Sequence, residues 1–176
     1  KTWGSRWFFP AKSGTSAVKY PYARFLEEDE VIRNAIRKRI GLAGISGVEI
    51  ERTSNNLRIL IKAARPGLVI GQGGKGIEDL TKLIEKNLKA VARESDRGKQ
   101  PMHMSVTVEE LKRAQVSSPY IAQQIAWDLE KRQPFRWTMK KYVEQMMQNK
   151  EVKGVKVLLS GRLGGAEIAR RESLKR

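Results

Sequence analysis

The sequence has 176 residues, and its 35 Lys and Arg against 19 Asp and Glu give a formal net charge of +16 at pH 7. This length fits one large domain or two small ones, and the apolar runs are far too short to cross a bilayer. The absence of cysteine excludes disulfides and thiolate metal sites. No signal peptide is recognisable either, so nothing marks the chain for secretion, and we expect a soluble protein.

The positive charge predicts a polyanionic partner. A membrane surface is one alternative, and a cationic protein that is merely soluble is another. The basic residues are spread along the chain and form no long basic amphipathic helix, which favours nucleic acid over both alternatives.

Residues 1–26 contain no acidic residue and show no regular periodicity. They combine basic with aromatic residues, which predicts a basic, aromatic N-terminal extension. A segment with so little regular structure cannot bury its own aromatic rings, so a partner or the following domain must supply a surface. The aromatic residues are Trp3, Trp7, Phe8, Phe9, Tyr20, Tyr22 and Phe25.

A first domain is predicted over residues 27–111, and it opens with a helix. The acidic residues 27–30 suit the first turn of this helix and the basic residues 37–39 suit its last turn, because the helix macrodipole favours that arrangement. Gly41 follows where a C-cap glycine is expected.

A hairpin, a glycine loop, a second helix and a third strand complete this domain. The hairpin spans residues 48–63, and Pro66 then ends its second strand because proline cannot donate to a β-ladder. Apolar residues recur at helical spacing over 77–91 and alternate over 102–108. His103 lies on the solvent-facing side of the third strand, and the sequence offers no second His, Cys or carboxylate cluster to join it in binding a metal. We therefore expect no metal and no cofactor.

A second α+β domain, of two helices on a small sheet, is predicted over residues 112–176. Ser118 starts its first helix as N-cap, with a proline at the first helical position. A further helix follows Pro134, and two strands, from Val155 and from Ala166, close the sequence. Two strands leave an open sheet edge, so we expect either more strands beyond the last residue or a partner that covers the edge.

The glycine loop is the most informative motif in the sequence. It consists of Gly71, Gln72, Gly73 and Gly74, followed by Lys75 and an amphipathic helix. Without Cβ atoms, phosphate groups can reach the backbone N–H groups, while the helix N-terminus and Lys75 add positive charge. KH domains clamp an RNA backbone with a G-x-x-G loop, so these five residues are predicted to bind RNA.

The same glycines also fit other motifs. Gly71, Gly73 and Gly76 match the G-x-G-x-x-G dinucleotide pattern, but that site requires a strand directly before the glycines, and Pro66 interrupts the strand. No glycine has Lys75 at P-loop spacing, which excludes that motif. A glycine-rich turn without any ligand stays open. A second G-x-x-G begins at Gly161, but it follows a strand and is typical of a turn that connects strands.

Two regions carry a resemblance to a known family, the bacterial small-subunit ribosomal protein S three family. The first runs from Arg65 to Gly74, and the second, which is long and specific, runs from Ser160 to Arg170 with Gly154 to Val157 before it. The resemblance covers roughly residues 20–172. It implies a type II KH domain, in the order α-β-β-α-α-β, and then the family's C-terminal α+β domain. The family begins earlier and continues further, so we expect both ends to be trimmed.

The resemblance implies a structural constituent of the small-subunit head, bound to rRNA and to neighbouring ribosomal proteins beside the channel where mRNA enters. Arg65, Arg162 and Arg170 are then further rRNA contacts, although each of the last two is as easily a solvated charge. In the family, basic residues at the start of the helix after Phe135 face that channel and help to unwind structured mRNA.

The matching positions in this sequence are Arg136, Trp137 and Lys140. They belong to a basic face with no acidic residue between Lys131 and Val143. The family usually has arginine where Trp137 stands. On a helical wheel Trp137 and Lys141 lie opposite the apolar stripe, so the indole could stack on a base, or could pack on the extension or on a neighbouring protein. The members of this face are Lys131, Arg132, Arg136, Trp137, Lys140 and Lys141.

Two other classes of function are weighed against this one. A transcription or ribosome-assembly factor with a KH domain would bind RNA transiently. An enzyme would need a nucleophile and base, a metal cluster or a carboxylate pair, and none converges in the sequence. We therefore expect no enzyme and no small-molecule substrate.

Overall fold

The computed structural model describes residues 3–7, 21–53, 56–91 and 103–176. The chain forms two compact units, Lys1–Leu111 and Lys112–Arg176. Both units mix helices and strands, which confirms the predicted α+β class. Three aromatic residues of the predicted extension, Phe8, Phe9 and Tyr20, lie outside the described residues.

The first unit contains a two-residue strand followed by six elements in the order α-β-β-α-α-β. This order confirms the predicted type II KH arrangement, including the short first helix of the helix pair. The elements are β1 (Ser5–Arg6), α1 (Pro21–Ile40), β2 (Ile45–Arg52), β3 (Asn56–Ala63), α2 (Pro66–Ile70), α3 (Lys75–Val91) and β4 (His103–Glu110).

The sheet of the first unit has the strand order β1-β2-β3-β4. The middle pair β2 and β3 is the predicted hairpin and is antiparallel, whereas β1 and β4 run parallel to their neighbours. The backbone N–H of Thr53 donates to the carbonyl oxygen of Asn56 at 2.9 Å and closes the hairpin. In β4, His103 is exposed, as predicted.

Alternation along β3 explains the core of this unit. Leu57, Ile59 and Ile61 are fully buried, while Asn56 before them and Arg58 between them are exposed, so one face of the strand meets the helices. Full burial of one such aliphatic side chain stabilises the fold by about 1.5–3 kcal/mol. The helices contribute Ile32, Ile36, Val69, Leu80 and Ile84 to the same core.

Helix α1 begins at Pro21, so the start predicted at Glu27 is wrong, and the residues between them are helical rather than part of the extension. The fixed φ of proline suits a first helical position. The additional turns also gain a packing partner, because the Trp7 ring lies 5.4 Å, centroid to centroid, from the rings of both Tyr22 and Phe25.

The acidic residues of α1 were predicted to form its first turn, and this prediction is wrong. Two of them instead bind the N-terminal segment and the sheet. Asp29 accepts hydrogen bonds from Ser5 Oγ at 2.8 Å, from Trp7 Nε1 at 3.0 Å and from Arg52 Nη2 at 2.7 Å. Glu28 accepts a second bond from Arg52, at 2.6 Å. We call these five residues the Asp29 clip, and its buried carboxylates are matched by donors, as buried charges require.

The second unit consists of two helices and a two-stranded antiparallel sheet. Its elements are α4 (Ser118–Glu130), α5 (Phe135–Met147), β5 (Lys156–Gly161) and β6 (Arg170–Lys175). Ser118 is the first helical residue rather than the N-cap, which is Ser117. The core of the unit joins Ile121, Ile125 and Tyr142 to Val157 and Leu159.

Strand β6 begins later than predicted, at Arg170 instead of Ala166. The second G-x-x-G segment forms a 3₁₀ turn, Leu163–Gly165, between the two strands, which confirms that it connects them. The Nε atom of Arg162 donates to the carbonyl oxygen of Ala166 at 3.0 Å, and this bond holds Ala166 in the turn instead of the ladder.

Candidate nucleic-acid interface

The G-x-x-G loop is a short exposed turn between α2 and α3. Gly71, Gly73 and Gly74 have φ values of 70°, 63° and 81°, a left-handed conformation that residues with a Cβ rarely adopt. The backbone N–H of Lys75 donates to the carbonyl oxygen of Gln72 and closes the turn. The structure therefore brings all five predicted loop residues together, with the side chains of Gln72 and Lys75 exposed.

Helix α3 starts at Lys75, directly after the loop. The first turn of a helix has N–H groups without partners inside the helix, and the positive end of the helix dipole lies there, although the N–H of Lys75 itself already donates to Gln72. Within the described ranges Lys75 forms no ion pair, so its ammonium group is available to an external phosphate. The element before the loop is the helix α2, and the dinucleotide alternative is wrong because it requires a strand at that position.

Gly76 is essential to this geometry, although the sequence interpretation used it only as part of the rejected dinucleotide pattern. A Cβ atom at this position would lie 2.6 Å from the carbonyl oxygen of Val69 and 2.8 Å from that of Ile70. Only glycine lets the start of α3 approach the end of α2 this closely. The third glycine of the motif was the available signal, since it marks a close backbone approach.

Further cations of the first unit lie near helix ends and between helices. Arg65 is exposed at the N-cap position of α2, where its backbone N–H donates to the carbonyl oxygen of Ala43 at 3.1 Å. A shallow depression of about 320 Å³ is lined by Arg39, Lys82 and Lys86 and by Asp79, whose carboxylate lies 3.9 Å from Arg39. Lys82 and Lys86 lie four residues apart and so share one face of α3.

Other cations are committed to carboxylates within the unit. Lys62 Nζ lies 2.7 Å from Glu49 Oε1 across the hairpin. This hydrogen bond lowers the pKa of the Glu49 carboxyl and raises the pKa of Lys62. Arg6 also faces Glu49, at 3.7 Å, and Arg52 is buried in the Asp29 clip. These three cations stabilise the sheet and are poor candidates for RNA contacts.

The predicted basic face of the second unit surrounds the turn from α4 to α5. Lys131, Arg132 and Lys140 are exposed and form no ion pair in the described part of the chain. Arg132 has a φ of 59°, which is unusual for a residue with a side chain, and its N–H donates to the carbonyl oxygen of Leu129 at 2.9 Å.

Two members of this face, Lys141 and Arg136, are paired with acidic residues from elsewhere in the unit, and Arg136 Nη2 lies 3.8 Å from Glu172 Oε1. Lys141 Nζ lies 3.3 Å from Asp128, which also accepts a hydrogen bond from the Tyr142 hydroxyl at 2.9 Å. The Lys141 ammonium lies 5.1 Å from the centroid of the Trp137 ring, within cation–π distance. Trp137 is 54% exposed, so part of its ring surface faces solvent, as the helical wheel predicted.

Burial and the hydrogen bond to Asp128 raise the pKa of Tyr142 to about 12. Tyr142 therefore remains a neutral hydrogen-bond donor at physiological pH. This bond fixes Asp128 beside Lys141 and orients the ammonium group that covers Trp137.

The remaining predicted contacts lie beside the second glycine turn. Arg162 is exposed and held by its bond to Ala166, and Arg170 begins β6. The structure brings Arg170 next to Arg136 of α5, because both guanidinium groups lie against the ring of Phe135. The sequence interpretation had assigned these two arginines to separate contacts.

Two family models of known proteins match this chain, one mainly in each of its two units. The KH domain family model matches residues 31–115, and the model for the C-terminal domain of ribosomal protein S3 matches residues 125–176. Small ribosomal subunit protein uS3 of Desulfosudis oleivorans is 40% identical over 172 residues, which cover 98% of this chain and 70% of the relative. The chain belongs to the uS3 family of small ribosomal subunit proteins.

Other members of the family are similarly close. Small ribosomal subunit protein uS3 of Alkaliphilus oremlandii is 39% identical over 98% of this chain and 64% of its own length. That of Sulfurimonas denitrificans is 43% identical over 98% of this chain and 63% of its own length. The chain thus spans about two thirds of the length of these uS3 relatives. Their names are those of a small ribosomal subunit protein.

Two findings concern other classes of function. In the described part of the chain, no helix combines the length and the apolar composition that crossing a membrane requires. The same residues contain no group of three or more His, Cys, Asp or Glu side chains that could hold a metal ion.

Proposed function

We propose that the chain is a structural constituent of the small-subunit head in cytoplasmic ribosomes, where it binds rRNA and adjoins neighbouring ribosomal proteins. One observation carries this proposal: a chain of the uS3 family exposes a G-x-x-G loop with Lys75 at the start of α3. The net charge of +16 supports a polyanionic partner. A transient transcription or assembly factor is less consistent with the names of the relatives.

The loop would act through its backbone. Phosphate oxygens accept hydrogen bonds from the N–H groups at the start of α3, and the Lys75 ammonium adds a charge-assisted contact. Gly73 and Gly74 keep the approach open because they carry no side chain. This contact reads the RNA backbone and not the base sequence, so specificity for a particular rRNA helix must come from additional contacts.

A charge introduced into the loop tests this contact. Gln72→Asp should weaken RNA binding about fivefold, because a carboxylate about 4 Å from a phosphate costs about 1 kcal/mol in water. Gln72 is the suitable position, since a substitution of Gly73 would also strain a left-handed backbone. Gln72→Asn controls for side-chain shape, and Gln123→Asp, at an exposed position of α4, controls for net charge.

Affinity is measured on single-stranded RNA over a series of salt concentrations. Each phosphate neutralised on a single strand contributes about 0.7 to the slope of log K against log salt. A slope near zero for the unaltered protein would contradict RNA binding by Lys and Arg. Equal affinities of the Gln72→Asp and Gln72→Asn variants would show that the loop is idle. Cosedimentation with small subunits through a high-salt wash distinguishes a constituent from a transient factor.

We further propose that the basic face around the turn from α4 to α5 lies at the channel where mRNA enters. There it assists the unwinding of structured mRNA. The exposed Lys131, Arg132 and Lys140 support this proposal, as does Trp137, which offers a ring for stacking on a base. Single-stranded RNA is commonly bound by this combination of cations and an aromatic ring.

Translation of two messages tests the mRNA contact. Ribosomes that carry Arg136→Ala and Lys140→Ala should be slow on a message with a stable hairpin and normal on an unstructured one. Lys150→Ala with Lys153→Ala removes the same charge from exposed positions outside the face and serves as the control. If the Arg136 and Lys140 variants translate both messages at the control rate, the α5 face does not contact mRNA.

A further inference from the structure

Four residues of the second unit form a compact group that we call the Phe135 cluster: Phe135, Arg136, Arg170 and Glu172. The guanidinium carbons of Arg136 and Arg170 lie 5.7 Å and 5.2 Å from the centroid of the Phe135 ring. The two arginines come from different elements, α5 and β6. They also share one oxygen atom, Glu172 Oε1, at 3.8 Å from Arg136 Nη2 and 3.7 Å from Arg170 Nε.

The shared carboxylate holds the arginines only loosely. Both distances exceed the 2.7–2.9 Å of a charge-assisted hydrogen bond, so Glu172 neutralises charge without using the N–H donors fully. A contact with an aromatic ring supplies no carboxylate or carbonyl acceptor, so it leaves the N–H donors of both guanidinium groups available to a ligand. With two cations and one anion, the cluster keeps a net positive charge. The side chains of Arg136 and Arg170 are 72% and 46% exposed, so a ligand can reach them.

The second glycine turn fixes one side of the cluster. A Cβ atom at Gly164 would lie 4.0 Å from Phe135 Cε1, so the turn rests against the ring. Gly164 has a φ of 68°, and the bond from Arg162 to Ala166 braces the same turn. The ring that carries both guanidinium groups is therefore held between a helix and a braced turn.

We propose that Arg136 and Arg170 form a single binding site for one backbone phosphate of RNA, and that Glu172 occupies this site until the phosphate displaces its carboxylate. This inference rests on the proposed RNA-binding function and deepens it, because it joins two arginines that the sequence assigned to mRNA and to rRNA. A phosphate offers several acceptor oxygens at hydrogen-bond distance, whereas Glu172 offers one oxygen beyond that distance. Glu172 thereby weakens the site and speeds release of the strand.

Inorganic phosphate is the first probe, because its binding does not depend on any RNA contact elsewhere. The full chain is titrated with phosphate while the arginine Nε–H signals are followed by NMR, with the signals assigned from the Arg136→Ala and Arg170→Ala variants. Both signals should shift along one binding curve. Glu172→Gln should tighten this binding about threefold, in the range of an exposed ion pair. Glu167→Gln removes an equal charge from an exposed residue between the glycine turn and β6 and should change phosphate binding less.

Single-stranded RNA is the second probe. Arg136→Ala and Arg170→Ala should each weaken binding, and the double variant should lose little more than either single variant, because both remove the same phosphate contact. Additive losses, or equal effects of Glu172→Gln and Glu167→Gln, would overturn the single site. Separate phosphate curves for the two arginines would overturn it as well. An RNA affinity that ignores salt while phosphate still shifts both arginines would refute the proposed function and leave the site standing.

Discussion

The junction between α2 and α3 gives the sharpest test of how the G-x-x-G loop is held. In the variant Gly76→Ala, a methyl group must fit where the carbonyl oxygens of Val69 and Ile70 lie only 2.6 and 2.8 Å from the added carbon. Both oxygens are backbone atoms, and Val69 is fully buried, so they cannot move aside as a flexible side chain would.

The expected cost follows from two opposing effects. Overpacking of a close contact typically costs 1–3 kcal/mol, and the upper part of this range applies because the obstacle is backbone. Alanine inside a helix is more favourable than glycine by about 1 kcal/mol, and Gly76 is helical. The free energy of unfolding should therefore fall by about 1–2 kcal/mol. The loop lies between the clashing groups, so RNA affinity should also fall under conditions where the variant is fully folded.

Urea denaturation followed by circular dichroism measures the first effect, and RNA titration at 25 °C measures the second. Gly67→Ala is the matched control, because Gly67 is in α2 and a Cβ there meets nothing within 4 Å. This control should gain up to about 1 kcal/mol of stability and bind RNA normally. A Gly76→Ala protein as stable as the Gly67→Ala protein would refute the reasoning from close approach.

Three further predictions concern buried and strained groups. The folded-state pKa of Tyr142, about 12, exceeds the ordinary value of about 10, so the unfolded chain loses this proton first. The contribution of this proton to the free energy of unfolding is fully present below pH 10. As the pH rises from 10 toward 12, the free energy of unfolding should fall by about 1.4 kcal/mol per pH unit, measured by urea denaturation at each pH. Asp29→Ala should lower the free energy of unfolding by about 3 kcal/mol in the same assay, because the buried Arg52 loses a carboxylate. Arg132→Gly should raise it by about 1 kcal/mol by relieving a left-handed backbone, and should weaken RNA binding by removing a cation.

Each of these predictions has a control. Tyr142→Phe should lack the additional alkaline slope, and an unchanged slope would assign it to other groups. Trp7→Phe removes one donor to Asp29 and should cost only about 1 kcal/mol, so equal losses in the two variants would argue against a buried charge as the cause. Arg132→Ala loses the cation but keeps the strain, so a stability gain in this variant would contradict the backbone argument.

Local patterns were sufficient to predict the G-x-x-G loop and most of the elements, whereas the short helix α2 followed from the family resemblance and the strand β1 was not predicted. Alternation in β3, helical spacing in α3 and the glycines between α2 and α3 all act over a few residues, so they are visible in the sequence. The start of α1 was placed too late: Pro21 offered a local signal for it, whereas the packing of Trp7 on the first turns comes from outside the helix. The role of Asp29 was missed because Arg52 reaches it from a strand more than twenty residues away.

In the basic face around α5, too, some features could be predicted from the sequence and others could not. The basic residues around α5 follow from composition, but their acidic partners do not. Asp128 reaches Lys141 from the preceding helix, and Glu172 reaches Arg136 from the last strand. A sequence stretch without acidic residues therefore did not predict a surface without ion pairs. Ion pairs of this kind depend on the fold and cannot be predicted from the spacing of residues along the chain.

The parallel pairing of β3 with β4 has a consequence for synthesis. The chain between Ala63 and His103 contains α2, the glycine loop and α3, and the core against which these helices pack includes Val106 of β4. Parallel partners far apart in sequence join late in folding. A nascent polypeptide that has not yet extended past Glu110 therefore has the loop residues but not the scaffold that shapes them. We therefore expect the first unit to acquire its complete core, and with it the ability to bind RNA that we propose, only after β4 has been synthesised and has joined β3.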